Sequence, residues 1–437
     1  MRWHIVTQVG QGDDFLPDIP EGDGRLVVAI DKPGHQGLVA NQLLRSVRKA
    51  GYIPPQPALD LLHLALAIYF ADLRVWRGYT KDRWTRDIVV YGPVEDPGSW
   101  SVASPILSRI LSFLTGDSWE IVLRERAVSE PEAPRDASES RPQFVSLFSG
   151  GLDSFVGAID LLGGKGQLAL VGQYATRMDQ TRAYAAIDRA HFGRTIPFWF
   201  HILPPRGRDM DGSKRKSEDT MRSRSLLFFA LGTTVASAFG QETPLYVPEN
   251  GLISLNIPLT LSRIGSSSTR TTHPYVIELY RELLAALGIG VRIETPYRFL
   301  TKGEMLAGVS DAGLLASGIH ETMSCSRPVV GRYRRLPVGV HCGYCVPCII
   351  RRAALRVIGM DTEAHHYDVL GGDADPRQTR GSDRRAFEIA IARARVMRPL
   401  ELVSEVVSTG PISPHDTAAS VAVFQRGLEE VAQFLEA

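Results

Sequence analysis

Residues 144–154 read Phe-Val-Ser-Leu-Phe-Ser-Gly-Gly-Leu-Asp-Ser, and the helical pattern Phe155-Val156-Gly157-Ala158-Ile159-Asp160-Leu161-Leu162 follows at once. An apolar strand, a Gly-Gly turn and a helix N-terminus in succession form an anion site. Glycines let backbone N–H groups approach a phosphate, and the open amides of the first helical turn aim partial positive charge at it. The hydroxyls of Ser149 and Ser154 flank the turn and can donate to phosphate oxygens. Asp153 suits such a site only with a divalent cation between it and the phosphates. The plain alternative is an ordinary strand–turn–helix junction, and the complete string in this context argues against it. No Gly-x-x-x-x-Gly-Lys-Ser/Thr occurs, and no Gly-x-Gly-x-x-Gly follows a strand. If the chain binds a nucleotide, the expected place is therefore Ser149, Gly150, Gly151, Asp153 and Ser154.

The string Ser-Gly-Gly-x-Asp-Ser resembles the PP-loop of the ATP pyrophosphatases, enzymes that release pyrophosphate while adenylating a carbonyl or carboxylate oxygen. Downstream of it, strands and helices alternate. Leu168-Ala169-Leu170-Val171-Gly172 reads as a strand, 180–192 as a helix, 197–203 as a strand and 221–239 as a long helix. Residues 244–249 read as a strand, 274–287 as a helix, and Val291-Arg292-Ile293 as a strand before a helix at Lys302. Repeated β-α-β with apolar strands predicts a doubly wound parallel α/β sheet. Ligands on such sheets bind beyond the strand carboxyl ends, which is where Ser149 falls.

The 437 residues suggest two or three domains. Residues 1–126 mix apparent strands (26–30, 84–91, 119–123) with an apolar helical stripe at 57–77 and a helix at 104–114, and read as a small α+β domain without catalytic motifs. Residues 127–143 are rich in Pro, Ser and charge and read as a linker. The nucleotide domain spans 144–355, and 356–437 reads as a helical extension with helices near 385–397 and 417–435. With 49 basic and 48 acidic side chains, no global field favours nucleic acid or membrane. The first residues read as a strand rather than a signal peptide, which points to the cytoplasm.

All four cysteines fall between positions 325 and 348, as Cys325 and then Cys342-Gly343-Tyr344-Cys345-Val346-Pro347-Cys348. Two overlapping Cys-x-x-Cys units and a fourth thiol are what a tetrahedral structural zinc needs. An iron–sulfur cluster uses similar ligands, and a redox dithiol would leave two thiols unexplained. His341 could stand in for one cysteine, but its neighbour Cys342 takes that corner.

The phosphate loop followed by this cysteine cluster resembles the QueC family, the 7-cyano-7-deazaguanine synthases of queuosine biosynthesis. The resemblance covers about 144–355. It includes Arg224-Ser225-Leu226-Leu227-Phe228-Phe229, similar to the family's Arg-Asn-x-x-Phe-Leu, Thr301-Lys302-Gly303-Glu304-Met305, similar to its Thr-Lys-x-Glu-Ile, and Arg351 after the last cysteine. It implies an adenine-nucleotide α-hydrolase-like fold, ATP, Mg2+ and Zn2+, with Arg224 binding nucleotide and Asp153, Ser154 and Lys302 in catalysis. The implied reaction activates 7-carboxy-7-deazaguanine as an acyl-adenylate, which ammonia converts to an amide and a second ATP-driven step to the nitrile. In place of the family's Tyr-Pro-Asp-Cys-type stretch this chain has Ser268-Thr269-Arg270-Thr271-Thr272-His273-Pro274. The added N-terminal region and C-terminal tail make it resemble the QatC component of Qat anti-phage defence systems. That resemblance implies a protein partner from the same system, whose amine could replace ammonia, and casts the added regions as docking surfaces. The alternatives are a tRNA-modifying PP-loop enzyme, against which the near-neutral charge counts, and a non-catalytic defence scaffold.

Further candidates are less specific. Arg206, Arg208, Lys214, Arg215 and Lys216 make a solvated loop or a lid over the triphosphate. Glu249 follows a strand end, where a carboxylate can meet a base or a cation. Lys302 and Glu304 orient phosphates or start a helix, and His273 reads as a helix-entry residue rather than a general base.

Overall fold

The structure is a computed structural model describing residues 1–437 except 32–40, 127–140, 174–177, 203–215, 219, 241, 261–269, 329, 331–338, 372–378 and 437. Most of the expected linker, the basic loop apart from Lys216, and Ser268 and Thr269 thus lie outside the described residues.

Two parallel sheets organise the chain. In the first, β1 (Trp3–Val9), β2 (Gly24–Ile30), β3 (Asp87–Val94) and β4 (Ser118–Glu125) lie in the order β2-β1-β3-β4. Every neighbouring pair is parallel. This corrects the α+β expectation for residues 1–126, which form an α/β layer. The crossovers explain the direction: α1 (Asn41–Lys49) and α2 (Gln56–Arg74) connect β2 to β3, and α3 (Trp100–Thr115) connects β3 to β4. Parallel neighbours need such long returns. The connection 10–23 between β1 and β2 makes its return without a helix. Helix α2 is buried on nearly all sides, as its Leu- and Ala-rich sequence requires of a helix between two sheets.

The second sheet contains β5 (Phe144–Leu147), β6 (Leu168–Gln173), β7 (Thr195–Phe200), β8 (Leu245–Tyr246) and β9 (Ile293–Glu294), in the order β7-β6-β5-β8-β9. All its pairs are parallel, so the expected α/β class holds. The chain enters at the central strand and walks outward through α4 (Leu152–Leu162), β6, α5 (Met178–Ala190) and β7. It returns through α6 (Arg224–Phe239) to place β8 on the other side of β5, and α7 (Gly251–Leu255) and α8 (Pro274–Ala286) then lead to β9. The direction reverses between β5 and β8, and a crevice opens at their carboxyl ends. Past β9 run the short helices α9 (Lys302–Ala307) and α10 (Ala312–Gly318).

The two sheets share one apolar core. Helix α2 packs on α6 and α3 on α8, and one continuous cluster joins Leu61 and Ile68 to Leu227 and Val235. A buried ion network lies at this seam. The fully buried Arg86 reaches Asp72 Oδ1 at 2.6 Å and Asp117 Oδ2 at 2.5 Å, and Arg77 Nη1 meets Asp117 Oδ1 at 2.7 Å.

The C-terminal part is helical as expected: α11 (Val346–Val357), α12 (Ser382–Val396), α13 (Pro399–Val407) and α14 (Pro414–Leu435). Their core includes Cys342, Cys345 and Cys348 with Phe387, Phe424 and Leu428. Among the described residues, no helix is long and apolar enough to cross a membrane.

Candidate functional site

Beyond β5 the chain turns through Ser149, Gly150 and Gly151 into α4. Gly150 has φ of +80°, and a Cβ there would lie 2.8 Å from Gln180 Cα. Only glycine satisfies both the left-handed backbone and this close approach. Gly150→Ala is expected to cost at least about 1–2 kcal/mol from backbone strain alone, measured as a lower urea midpoint; an unchanged midpoint contradicts the turn geometry.

Gly151, in extended conformation, precedes the first turn of α4. Its N–H donates to Ser149 Oγ at 3.2 Å, and Ser154 Oγ donates to Gly151 O at 2.9 Å. The two hydroxyls lie 3.3 Å apart. Ser149, Gly151, Asp153 and Ser154 line a cavity of about 510 Å³, a size suited to a small-molecule ligand. The sequence-derived residues Arg224 and Lys302 line it too. Six of the seven expected nucleotide and catalytic residues therefore meet at one cavity, and Gly150 shapes the turn behind it.

Arg224 opens α6. Its Nε donates to Gln173 Oε1 at 3.0 Å at the end of β6, and its guanidinium lies 5.1 Å from the Phe228 ring centroid. Among the described residues no carboxylate forms an ion pair with it, and burial pushes its pKa down. A half-buried cation without an anionic partner among the described residues, lining a cavity, favours an anionic ligand.

Lys302 opens α9, whose N-terminus is a capping box. Thr301 Oγ1 accepts from Glu304 N at 3.1 Å, and Glu304 Oε2 accepts from Thr301 N at 2.8 Å. Glu304 thus starts the helix and does not line the cavity. Lys302 Nζ reaches 2.5 Å from Asp153 Oδ1. Asp153 Oδ2 accepts from Asn250 Nδ2 at 2.6 Å and from Asn250 N at 3.2 Å. Lys302 thus holds one oxygen of Asp153 and Asn250 the other.

Glu249 lines the cavity beside this pair. Burial, the negative Asp153 and a hydrogen bond with it push the Glu249 carboxyl up to about 8, against the pull of Lys302. An acid raised from 4.5 to about 8 is bound to its proton more tightly in the folded state, so its contribution to stability is complete below pH 4.5 and is lost as pH rises through 8. Glu249→Gln is expected to flatten the fall in unfolding free energy between pH 4.5 and 8, read from urea curves across that range. An identical slope in the variant contradicts a protonated Glu249.

Thr271 and Thr272, in the stretch that departs from the QueC pattern, also face the cavity. His273 does not. Its Nδ1 accepts from Tyr275 N at 3.1 Å, its Nε2 lies 3.0 Å from Thr409 Oγ1, and burial pushes it down to about 4. It is the helix-entry residue expected. Lys216 sits 4.2 Å above the Trp76 ring centroid rather than at the cavity.

The four cysteines converge as expected. Their Sγ atoms all lie within 4.8 Å of one another and all four side chains are buried. Cys325–Cys345 and Cys342–Cys348 are 3.9 and 3.8 Å apart. Sulfurs about 2.3 Å from a tetrahedral zinc lie about 3.8 Å from each other, so the set fits the ion. Gly343 has φ of +85°, and its missing side chain admits Tyr367 O, which a Cβ would meet at 2.0 Å. Arg327 N donates to Cys325 Sγ at 3.3 Å, the kind of outer contact that orients a thiolate ligand. His341 is turned away, its Nε2 accepting from Ser324 N at 3.2 Å.

The cysteine module is tied to the Ser149–Ser154 turn. The fully buried Arg351 holds Glu363 Oε1 at 2.6 Å, Thr322 Oγ1 at 2.8 Å and Ser324 Oγ at 3.3 Å. Ser324 Oγ in turn accepts from Leu152 N, the first amide of α4, at 3.3 Å. Sequence reasoning did not single out Gln173, Gln180 or Ser324, which act through partners remote in the chain. No protein-family model matches this chain, and no curated protein matches it.

Proposed function

We propose that the protein is an ATP-dependent adenylating enzyme of the PP-loop pyrophosphatase type, acting on 7-carboxy-7-deazaguanine or a related deazapurine acid. The observation that carries this reading is the position of the Ser149–Ser154 turn. It lies at the reversal point of a parallel sheet, with Arg224, which has no ion-pair partner among the described residues, and Lys302 lining the same cavity. In this reading the first-turn amides of α4 and the Ser149 and Ser154 hydroxyls bind phosphate oxygens. Arg224 and Lys302 neutralise the charge that builds on the leaving pyrophosphate. A substrate carboxylate oxygen bonds to the α-phosphorus as the bond to the bridging oxygen breaks, so positioning and charge supply the catalysis rather than a general base. An amine then attacks the acyl carbon, loses its proton and releases AMP, leaving an amide.

Zinc, held by Cys325, Cys342, Cys345 and Cys348, is structural in this reading and supports the phosphate turn through Arg351 and Ser324. Magnesium accompanies ATP in the resembling family, and Glu249 is the cavity carboxyl that could serve it after losing its proton. The QatC resemblance further suggests an amine on a partner protein of a defence system as the acceptor.

Mass spectrometry of reactions holding ATP and 7-carboxy-7-deazaguanine, with ammonia or with candidate partner proteins, tests the reading. AMP, pyrophosphate and a deazaguanine amide are expected. ADP and phosphate, or no consumption of ATP, would count against it.

A further inference from the structure

The regions outside residues 144–355 contain no catalytic motif, yet each sends a carboxylate to the helix that carries one of the two cavity cations. Glu430 of α14 lies at the N-terminus of α9. It accepts from Thr301 Oγ1 at 2.6 Å, and both its oxygens lie 3.1 Å from Gly303 N. Those donors flank Lys302 on either side. Position 303 is built for this contact, since a Cβ on Gly303 would meet Glu430 Oε2 at 2.5 Å. Arg426, one turn earlier on α14, clasps Glu304 of the same helix at 2.6 Å.

The N-terminal layer does the same for the other cation. Asp72 at the end of α2 is fully buried, and its Oδ2 accepts from Ser223 N at 2.8 Å and from Ser223 Oγ at 3.0 Å. Ser223 is the residue immediately before Arg224. Asp72 Oδ1 is fixed by Arg86 at 2.6 Å, so the acceptor has little freedom. Glu218 N also donates to Leu73 O at 3.0 Å, and Arg222 Nη1 donates to Thr115 O at 3.1 Å. The segment that leads into Arg224 is thus moored on the first sheet's helices.

A carboxylate at a helix N-terminus satisfies open amides and opposes the helix dipole. Here the donors it holds are immediate chain neighbours of the first side chain of that helix. We propose that Glu430 and Asp72 are positioning residues that set Lys302 and Arg224 against the phosphate turn, so that the added regions complete the anion site. Its functional meaning rests on the nucleotide reading above. Contact with a partner is then a secondary use of the added regions, whose inner faces are committed to this task.

A double-mutant cycle on the full chain separates positioning from bulk stability. Glu430→Gln is expected to weaken ATP binding or lower turnover about tenfold or more in the parent and to have almost no effect in Lys302→Ala. Gly303→Ala, which crowds the Glu430 carboxylate, and Val357 beside it, while leaving the Glu430 and Lys302 side chains in place, should reproduce the loss. Asp72→Asn, or the milder Ser223→Ala, should be non-additive with Arg224→Ala and additive with Lys302→Ala. A second arm needs no nucleotide: acetic anhydride labelling of Lys302, followed by mass spectrometry, should rise in Glu430→Gln and Gly303→Ala as the lysine leaves Asp153. Additive cycles in folded variants, or unchanged Lys302 labelling, would overturn the proposal. Parent protein that ignores ATP would overturn the nucleotide reading, while the labelling arm would still judge the positioning of Lys302.

Discussion

Asp153→Ala is expected to lower ATP-dependent AMP formation by about a thousandfold or more. The side chain does two things at once. Its Oδ1 holds Lys302 at 2.5 Å, and its Oδ2 accepts from Asn250 Nδ2 at 2.6 Å. Removing it frees the lysine, unties the turn after β8 from the start of α4, and leaves a buried ammonium without its partner. Breaking a buried pair in this way costs about 3–5 kcal/mol, so stability must be measured beside turnover. Asp153→Asn separates the contributions, because an amide oxygen can still accept from Asn250 while the charge is lost. Asn is expected to recover much of the stability and little of the rate. Alanine turnover near the parent's, in protein shown to be folded, would remove Asp153 and its lysine from the mechanism.

Loss of the metal should have the largest effect on stability. Four buried thiols with sulfurs 3.8 and 3.9 Å apart form a site that is costly to keep without an ion. Structural zinc contributes on the order of 10 kcal/mol in small zinc modules. Cys345→Ser, or treatment with a strong chelator, is expected to release one zinc per chain and unfold the cysteine module before the sheets. Because Arg351 and Ser324 connect that module to Leu152 N, ATP binding should fall in the same titration. Elemental analysis gives the stoichiometry and hydrogen exchange locates the opening. Iron, or freshly purified protein that is metal-free yet melts like the chelator-untreated form, would contradict a structural zinc.

What the sequence made legible was local. The Phe144–Ser154 string specifies a strand, a turn and a helix start within one short stretch, and the cysteine spacings specify a ligand set in the same way. Lys302 and Arg224 came from resemblance, and both line the cavity. The direction of the first sheet was not legible, because pairing such as Trp3 with Ile88 is decided by remote segments. The five-residue α7 is too short to show a helical period, so the role of Asn250 at its N-terminus was hidden. The same holds for Asp72 and Glu430. Each looks like an ordinary helix residue, and its partner lies 151 or 127 positions away. Asp153 shows a related limit: its residue type gave no sign of the partners that its oxygens find at Asn250 and Lys302.

Isotope exchange between labelled pyrophosphate and ATP tests the central claim most directly. An adenylating enzyme makes its first step reversibly, so label should enter ATP only when the acid substrate is present. For this protein, label is expected in ATP with 7-carboxy-7-deazaguanine, is absent without it, and is lost in Lys302→Ala and Arg224→Ala. Label that never enters ATP while the protein instead produces ADP and phosphate would contradict the account.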